Sequence, residues 1–155
     1  MVLLLRGWRR GVPDYFIYFK IVECYVNKTE IHEMPFIEKA IHDGEYVLIR
    51  HDGQFTIQEF EESSVSTKKL LDEHRWNRLL VDLRGVTNRV LIADVFYIIE
   101  FDKKIFPLVR IGVVFPPGRE EDGRFADTVA ENRSVKLKSF TDCQQAAAWL
   151  TGKQT

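Results

Sequence analysis

Residues Arg78 to Asn88 read RLLVDLRGVTN. Leu79, Leu80 and Val81 form an apolar run that Asp82 interrupts and Arg84-Gly85 ends. A short run closed by a glycine turn reads as a strand buried on both faces, the kind found at the centre of a parallel sheet. A chain with such a strand in its middle has to cover both sides of it. It also delivers the residues that follow to the carboxyl end of the sheet, where open α/β folds bind their ligands.

The flanking segments supply the covers. Phe36 to Ile41 and Glu45 to His51 enclose Asp43-Gly44, a hairpin signal because both turn residues tolerate positive φ. Thr56-Ile57-Gln58-Glu59 has capping-box form, and Ile57, Phe60, Ser64, Thr67, Leu70 and Leu71 carry a helical stripe to about Glu73. The stripe is thin in the middle, which predicts only moderate burial. His74 then ends the helix, where it reads as a solvated surface residue or, less simply, as a partner of the helix dipole. Leu91 to Asp102 sets Ile92, Val95, Phe96 and Ile99 at i, i+3, i+4 and i+7. That spacing predicts an amphipathic helix facing a core; lining a lipid pocket is the other use of such a helix.

Val109 to Phe115 is a second inner strand in which Gly112 lets a helix approach. Pro116 to Gly123 reads as a charged loop, and Phe125, Ala126, Val129 and Ala130 mark a helix ending near Asn132. Val135 to Phe140 alternates apolar residues with lysine, as guarded edge strands do. Thr141-Asp142-Cys143-Gln144 reads as a second capping box, opening a last helix that Gly152 stops. The order β-hairpin, α, β, α, β, α, β, α predicts one α/β domain with a mixed, mostly parallel sheet and right-handed crossovers.

That domain spans 31–152, preceded by an N-terminal extension at 1–30 whose structure the sequence leaves open. Basic residues there follow the apolar Val2 to Leu5, the reverse of a signal peptide. Tyr15 to Val26 contains Lys20 and Glu23 and is too short to span a bilayer, so no transmembrane segment is expected. The extension reads equally as an element packed on the domain or as a poorly ordered arm. A peripheral membrane contact through its arginines and aromatics is a third reading. Met34 as an alternative start also stays open.

A net charge of -1 gives no general nucleic-acid surface. Cys24 and Cys143 form no C-x-x-C, which suits a reducing cytoplasm and argues against a disulfide framework or a zinc site. The phosphate-loop, dinucleotide, nucleophile-elbow and zinc-protease motifs are all missing, so no catalytic residue, metal or cofactor is assigned. His42-Asp43-Gly44 and His51-Asp52-Gly53 look like a repeated metal word. The hairpin, however, puts the histidines at opposite ends of one strand, roughly 20 Å apart. Asp82 reads as a base or, more simply, as an acceptor for the amides of the following turn.

Three loops, His51 to Phe55, Arg84 to Val90 and Pro116 to Gly123, meet at the carboxyl ends of the parallel strands. They bring Asp52, Arg84, Thr87, Asn88, Arg89 and Arg119 to one rim beside three helix N-termini, which favours an anion. Alternatively, Arg84 and Arg89 are solvated or pair with Glu120, Glu121 and Asp122.

Four words in this order, EYVLIRHDGQFTIQEF, RLLVDLRGV, RFADTVAENRSVKLKSF and DCQQAAAWL, resemble the SpoIIAA-like family of bacterial proteins, also described as STAS-like or STAS/Sec14-like. The resemblance implies a small mixed sheet with helices mainly on one face. It also implies a non-catalytic, regulatory binding module that docks a protein partner or small anionic ligand at the loops after the central strands. Its Sec14-like side implies an alternative, a carrier of a lipid or other apolar ligand. The STAS relatives switch through a serine in a D-S-S-G word after the central strand. Here the chain reads Thr87-Asn88-Arg89-Val90-Leu91-Ile92-Ala93-Asp94, with Thr87 its one hydroxyl, so a phosphorylation switch of that type is not expected. Homo-oligomerisation is left open.

Overall fold

The computed structural model describes residues 36–153. The extension at 1–30, Cys24 and the first residues of the expected domain lie outside the described residues. Five strands form one sheet in the order of the chain: β1 Phe36–Ile41, β2 Tyr46–Gly53, β3 Arg78–Val86, β4 Arg110–Val114 and β5 Leu137–Phe140. β1 and β2 are an antiparallel hairpin, and every later pair is parallel. β3 therefore lies mid-sheet, as its apolar run predicts.

The helices are α1 Ile57–His74, α2 Ile92–Ile105, α3 Glu120–Asn132 and α4 Cys143–Thr151. Side chains alternate along β3, with Leu79 in the core beneath Leu71 of α1 and Leu80 in the core beneath Ala146 and Leu150 of α4. Helices α1, α2 and α3 cover the first face and α4 the second. Each fully buried leucine contributes roughly 1.5–3 kcal/mol. A one-residue slip of β3 would drive Asp82 into the other, apolar core, so the register is firmly set.

Local chemistry accounts for the ends of these elements. The α1 capping box forms: the Glu59 amide donates to Thr56 Oγ1 at 3.2 Å and the Thr56 amide to the Glu59 carboxylate at 3.3 Å. Where the apolar stripe of α1 thins, Ser63, Ser64 and Thr67 are buried instead. Ser66 and Thr67 donate to the Glu38 carboxylate of β1 at 2.5 and 2.6 Å, so small hydroxyls replace apolar bulk at this contact. His74 stacks on Trp76 with ring centroids 4.4 Å apart.

Four expectations need correcting. The hairpin turn places its left-handed residue at Glu45 (φ 52°), not at Gly44. Gly44 is needed because a Cβ there would lie 2.5 Å from the Tyr46 ring. Helix α3 starts at Glu120, inside the expected charged loop, because Glu120, Glu121 and Asp122 suit the positive end of its dipole. Helix α4 is capped by Asp142, whose carboxylate accepts the Gln144 amide at 2.5 Å, so the box centred on Thr141 does not form. Finally, the inward face of α2 is only partly the expected one: Val95 and Ile99 turn inward, but Ile92 is 66% and Phe96 37% exposed, while Phe101 and Asp102 are buried in their place. The helix is apolar on most sides, so its period did not single out one face.

Candidate functional site

The six rim residues divide between the two faces of the sheet. Thr87, Asn88 and Arg119 come together. The Asn88 side chain accepts the Phe55 amide at 2.7 Å and donates to the Phe55 carbonyl at 2.9 Å. The Thr87 amide donates to the Gly53 carbonyl at 2.8 Å. The Arg119 guanidinium donates to the carbonyls of Asn88, at 2.6 Å, and Thr87, at 3.2 Å. These bonds tie the loops after β2, β3 and β4 into one lip. Arg119 spends two donors on that lip.

Arg84 and Asp52 lie on the α4 side. β3 carries an extra residue opposite β2, with Arg50 facing Asp82 and Asp52 facing Gly85. At this bulge, the Asp82 carboxylate accepts the Arg84 amide at 3.1 Å and its guanidinium at 2.9 Å twice. Burial would raise the Asp82 carboxyl, but the hydrogen bonds and charge of Arg84 outweigh it and hold Asp82 below its ordinary value. The same carboxylate raises the Arg84 guanidinium. Asp52 takes the neighbouring Arg50 at 3.0 Å. Gly85 makes room for it: a Cβ there would sit 1.8 Å from the Asp52 carboxylate.

Arg89 pairs with Asp122 of α3 at 3.5 Å, on the opposite side of the sheet from Arg84. The single anion-binding rim expected from Asp52, Arg84, Thr87, Asn88, Arg89 and Arg119 is thus not assembled. Strand alternation sends Arg84 one way, and Asp122 draws Arg89 the other.

Beneath the lip lies a feature the sequence did not announce. A cavity of about 320 Å³ runs between the first face of the sheet and helices α1, α2 and α3. Its walls are apolar, with Ile49, Val81 and Leu83 from the sheet and Val95, Ile98 and Ile99 from α2. Val90, Ile92, Arg119 and Asp122 stand at its loop end. Helix α2 therefore lines a pocket and does not simply face a packed core.

Three polar side chains reach this space from inside: His51 of β2, Ser64 of α1 and Asp102 of α2. Burial pushes the His51 imidazole down to about 4, only partly opposed by the charge of Asp52, so the ring is neutral at pH 7. Burial pushes the Asp102 carboxyl up to about 8, which keeps it protonated. In the sequence His51 reads only as part of a repeated metal word, and Asp102 only as the last residue of an apolar helix. One signal marks Asp102 in the sequence: it stands at i+7 from Val95 and i+3 from Ile99, on the face that turns inward.

Among solved structures, the chain is similar to a protein from Shewanella loihica PV-4, described as an uncharacterized protein from the DUF3478 family with a SpoIIAA-like fold. The match has a TM-score of 0.52 at 16% identity and covers 74% of this chain and 91% of that one. The fold is SpoIIAA-like. No protein-family model matches the sequence, and no curated protein does. At this identity the likeness carries the SpoIIAA-like fold and leaves ligand and partner to be argued from the residues. No helix among the described residues is long and apolar enough to cross a membrane.

Proposed function

We propose that the protein holds a small apolar or lipid-like ligand in the cavity beneath the Asn88–Arg119 lip, as a non-catalytic carrier or sensor. The supporting observation is the cavity itself. Protein interiors leave few voids larger than a water molecule. This one, at about 320 Å³, falls at the lower end of the range for small-molecule sites, ~300–1,000 Å³. Its loop end is the edge at which open α/β sheets take ligands. Leu91 and Ile92 stand there 69% and 66% exposed, an apolar approach for an apolar guest.

Docking of a protein partner or small anionic ligand at the rim is the reading less favoured by these residues, because Arg84 and Arg89 are each paired with a carboxylate and lie on opposite faces. A hydrolytic role is also disfavoured. Ser63 Oγ lies 3.5 Å from His51 Nε2 but donates its proton to the Phe60 carbonyl at 3.0 Å, so it is not poised for deprotonation by the ring. We place the protein in a reducing cytoplasm, on the ground of two cysteines without a C-x-x-C word.

Native mass spectrometry of protein purified from cells tests this reading. A co-purifying small molecule is expected, and Ile99→Trp, which fills the cavity from α2, should displace it. An empty wild-type protein that also fails to take up fatty acids or long-chain alcohols on titration would refute the carrier.

A further inference from the structure

Arg89, Arg119 and Arg124 stand where the loops after β3 and β4 meet, and two of them have a carboxylate of their own. Arg89 pairs with Asp122 at 3.5 Å, and Arg124 lies 3.9 Å from Glu121. Arg119 pairs with no carboxylate among the described residues. Its partners are the main-chain carbonyls of Asn88 and Thr87, which take one N–H from each terminal nitrogen. A guanidinium has five N–H groups, so the lip leaves three of them over, and neutral carbonyls leave its charge in place.

The position of this cation matters as much as its charge. Arg119 is half-buried and belongs to the wall of the cavity. Its main chain opens α3, while its guanidinium reaches the loop after β3. The side chain therefore crosses the loop end of the cavity from one wall to the other. Apolar walls with one unneutralised cation at the end match a molecule with a hydrocarbon tail and a single negative head. A charge partly withdrawn from water gains from an opposite charge that also accepts its hydrogen bonds. A carboxylate does both, because its two oxygens fit the planar fork of the guanidinium.

Size limits the tail. A cavity of about 150 Å³ holds one benzene. At that ratio a cavity of about 320 Å³ takes roughly 12 heavy atoms, which is one chain of medium length and not a two-chain lipid.

We infer that the guest is a medium-chain carboxylate, with its tail in the cavity and its head on the Arg119 guanidinium. This rests on the carrier reading above and deepens it by naming the head group. Asp122 and Glu121 also stand at the loop end, but Arg89 holds the first and the side chain of the second is 89% exposed. Recognition by one cation makes the site selective by sign. A neutral head forfeits the charged hydrogen bonds, and a positive head is repelled.

The test compares three chains of ten carbons, decanoate, 1-decanol and decylammonium, by calorimetric titration at pH 7.5. Wild-type protein should bind decanoate about tenfold or more tightly than the alcohol, the effect of hydrogen bonds to a charged group, and the ammonium most weakly. Arg119→Gln keeps an amide donor for the lip and loses the charge. It should bring decanoate down to the level of the alcohol, whose own affinity should hold. Arg50→Gln, which removes a charge from the α4 side of the sheet, should change neither. Wild-type protein that binds the alcohol or the ammonium as tightly as decanoate would overturn the inference, as would a preference that survives Arg119→Gln. A loss of decanoate and alcohol together in that variant would also overturn it, since Arg119 would then only hold the lip. Each of these results leaves the carrier reading standing. If none of the three compounds binds the wild type, the cavity is not a ligand site and both proposals fall.

Discussion

Asn88 holds the main chain of Phe55 as a neighbouring strand would, accepting its amide at 2.7 Å and donating to its carbonyl at 2.9 Å. One side chain thereby extends the β2–β3 ladder past the end of the sheet and fixes two loops to each other. Asn88→Ala would leave both Phe55 groups unsatisfied in a partly buried setting, at a cost of about 1–3 kcal/mol. Asn88→Asp keeps the acceptor and loses the donor, and should fall between wild type and alanine. Urea unfolding of the three proteins measures this. An alanine variant as stable as the wild type would mean that the clasp adds nothing.

The Asp82–Arg84 pair is asymmetric, with the carboxylate buried and the guanidinium about half exposed. Arg84→Leu therefore strands a buried charge and should cost about 3 kcal/mol at pH 7. Asp82→Leu combined with Arg84→Leu should recover much of that loss. The sign with pH follows from the lowered Asp82 value: the stability it gives is present above the ordinary 3.8 and is lost as pH falls through its folded value. The deficit of Arg84→Leu should accordingly shrink in acid. A deficit that stays constant down to pH 3 would contradict the pairing.

His51 and Asp102 act oppositely on stability. His51 binds its proton in the unfolded chain from pH 6.5 downward but in the folded one only near 4, so it favours folding increasingly as pH rises from 4 to 6.5. Asp102 is protonated in the folded chain up to about 8 and in the unfolded chain only up to 3.8, so its contribution falls as pH rises between those values. The two slopes cancel up to about pH 6.5, and from there to pH 8 the Asp102 term declines alone. Asp102→Leu should remove that decline and raise stability at pH 7 by about 2–4 kcal/mol. Chemical denaturation across this range checks it: a wild-type profile still level between pH 6.5 and 8 would rule out a buried protonated Asp102.

Two glycines of the sheet should respond differently to alanine. At Gly85 the new methyl meets the Asp52 carboxylate at 1.8 Å and the His51 carbonyl at 3.2 Å, so Asp52 must swing away from Arg50. A loss of about 1 kcal/mol is expected, partly relieved by Asp52→Ala. At Gly112 the nearest atoms, on Ala146 and Leu150, lie at 3.6 Å, an ordinary contact, and Gly112→Ala should be close to neutral. Thermal melts of both variants decide; equal effects would contradict the two geometries.

The framework was legible because it rests on short-range signals. The Leu79–Val81 run gave the central strand, Thr56 and Glu59 gave the start of α1, and Gly152 gave the end of α4. The approach of α4 to Gly112 was also readable. The site was not. Whether Arg84 and Arg89 share a rim depends on strand alternation past a bulge, and the extra residue of β3 leaves no mark in the sequence. The cavity depends on how α2 is turned about its axis, and a helix with apolar residues on nearly every side does not reveal that. His51 reads in the sequence as part of a repeated metal word, yet it packs its ring 5.1 Å from Phe55 and 5.9 Å from Phe36.

The acid at Asp102 also bears on how long a molecule of this protein survives. On the carrier reading, an empty cavity leaves this acid buried beside open space, and a guest that fills the space would stabilise the fold. Loaded molecules would then open less often and present fewer cleavable segments to proteases. On that reading the standing amount of the protein in a cell would follow the supply of a guest without any change in synthesis.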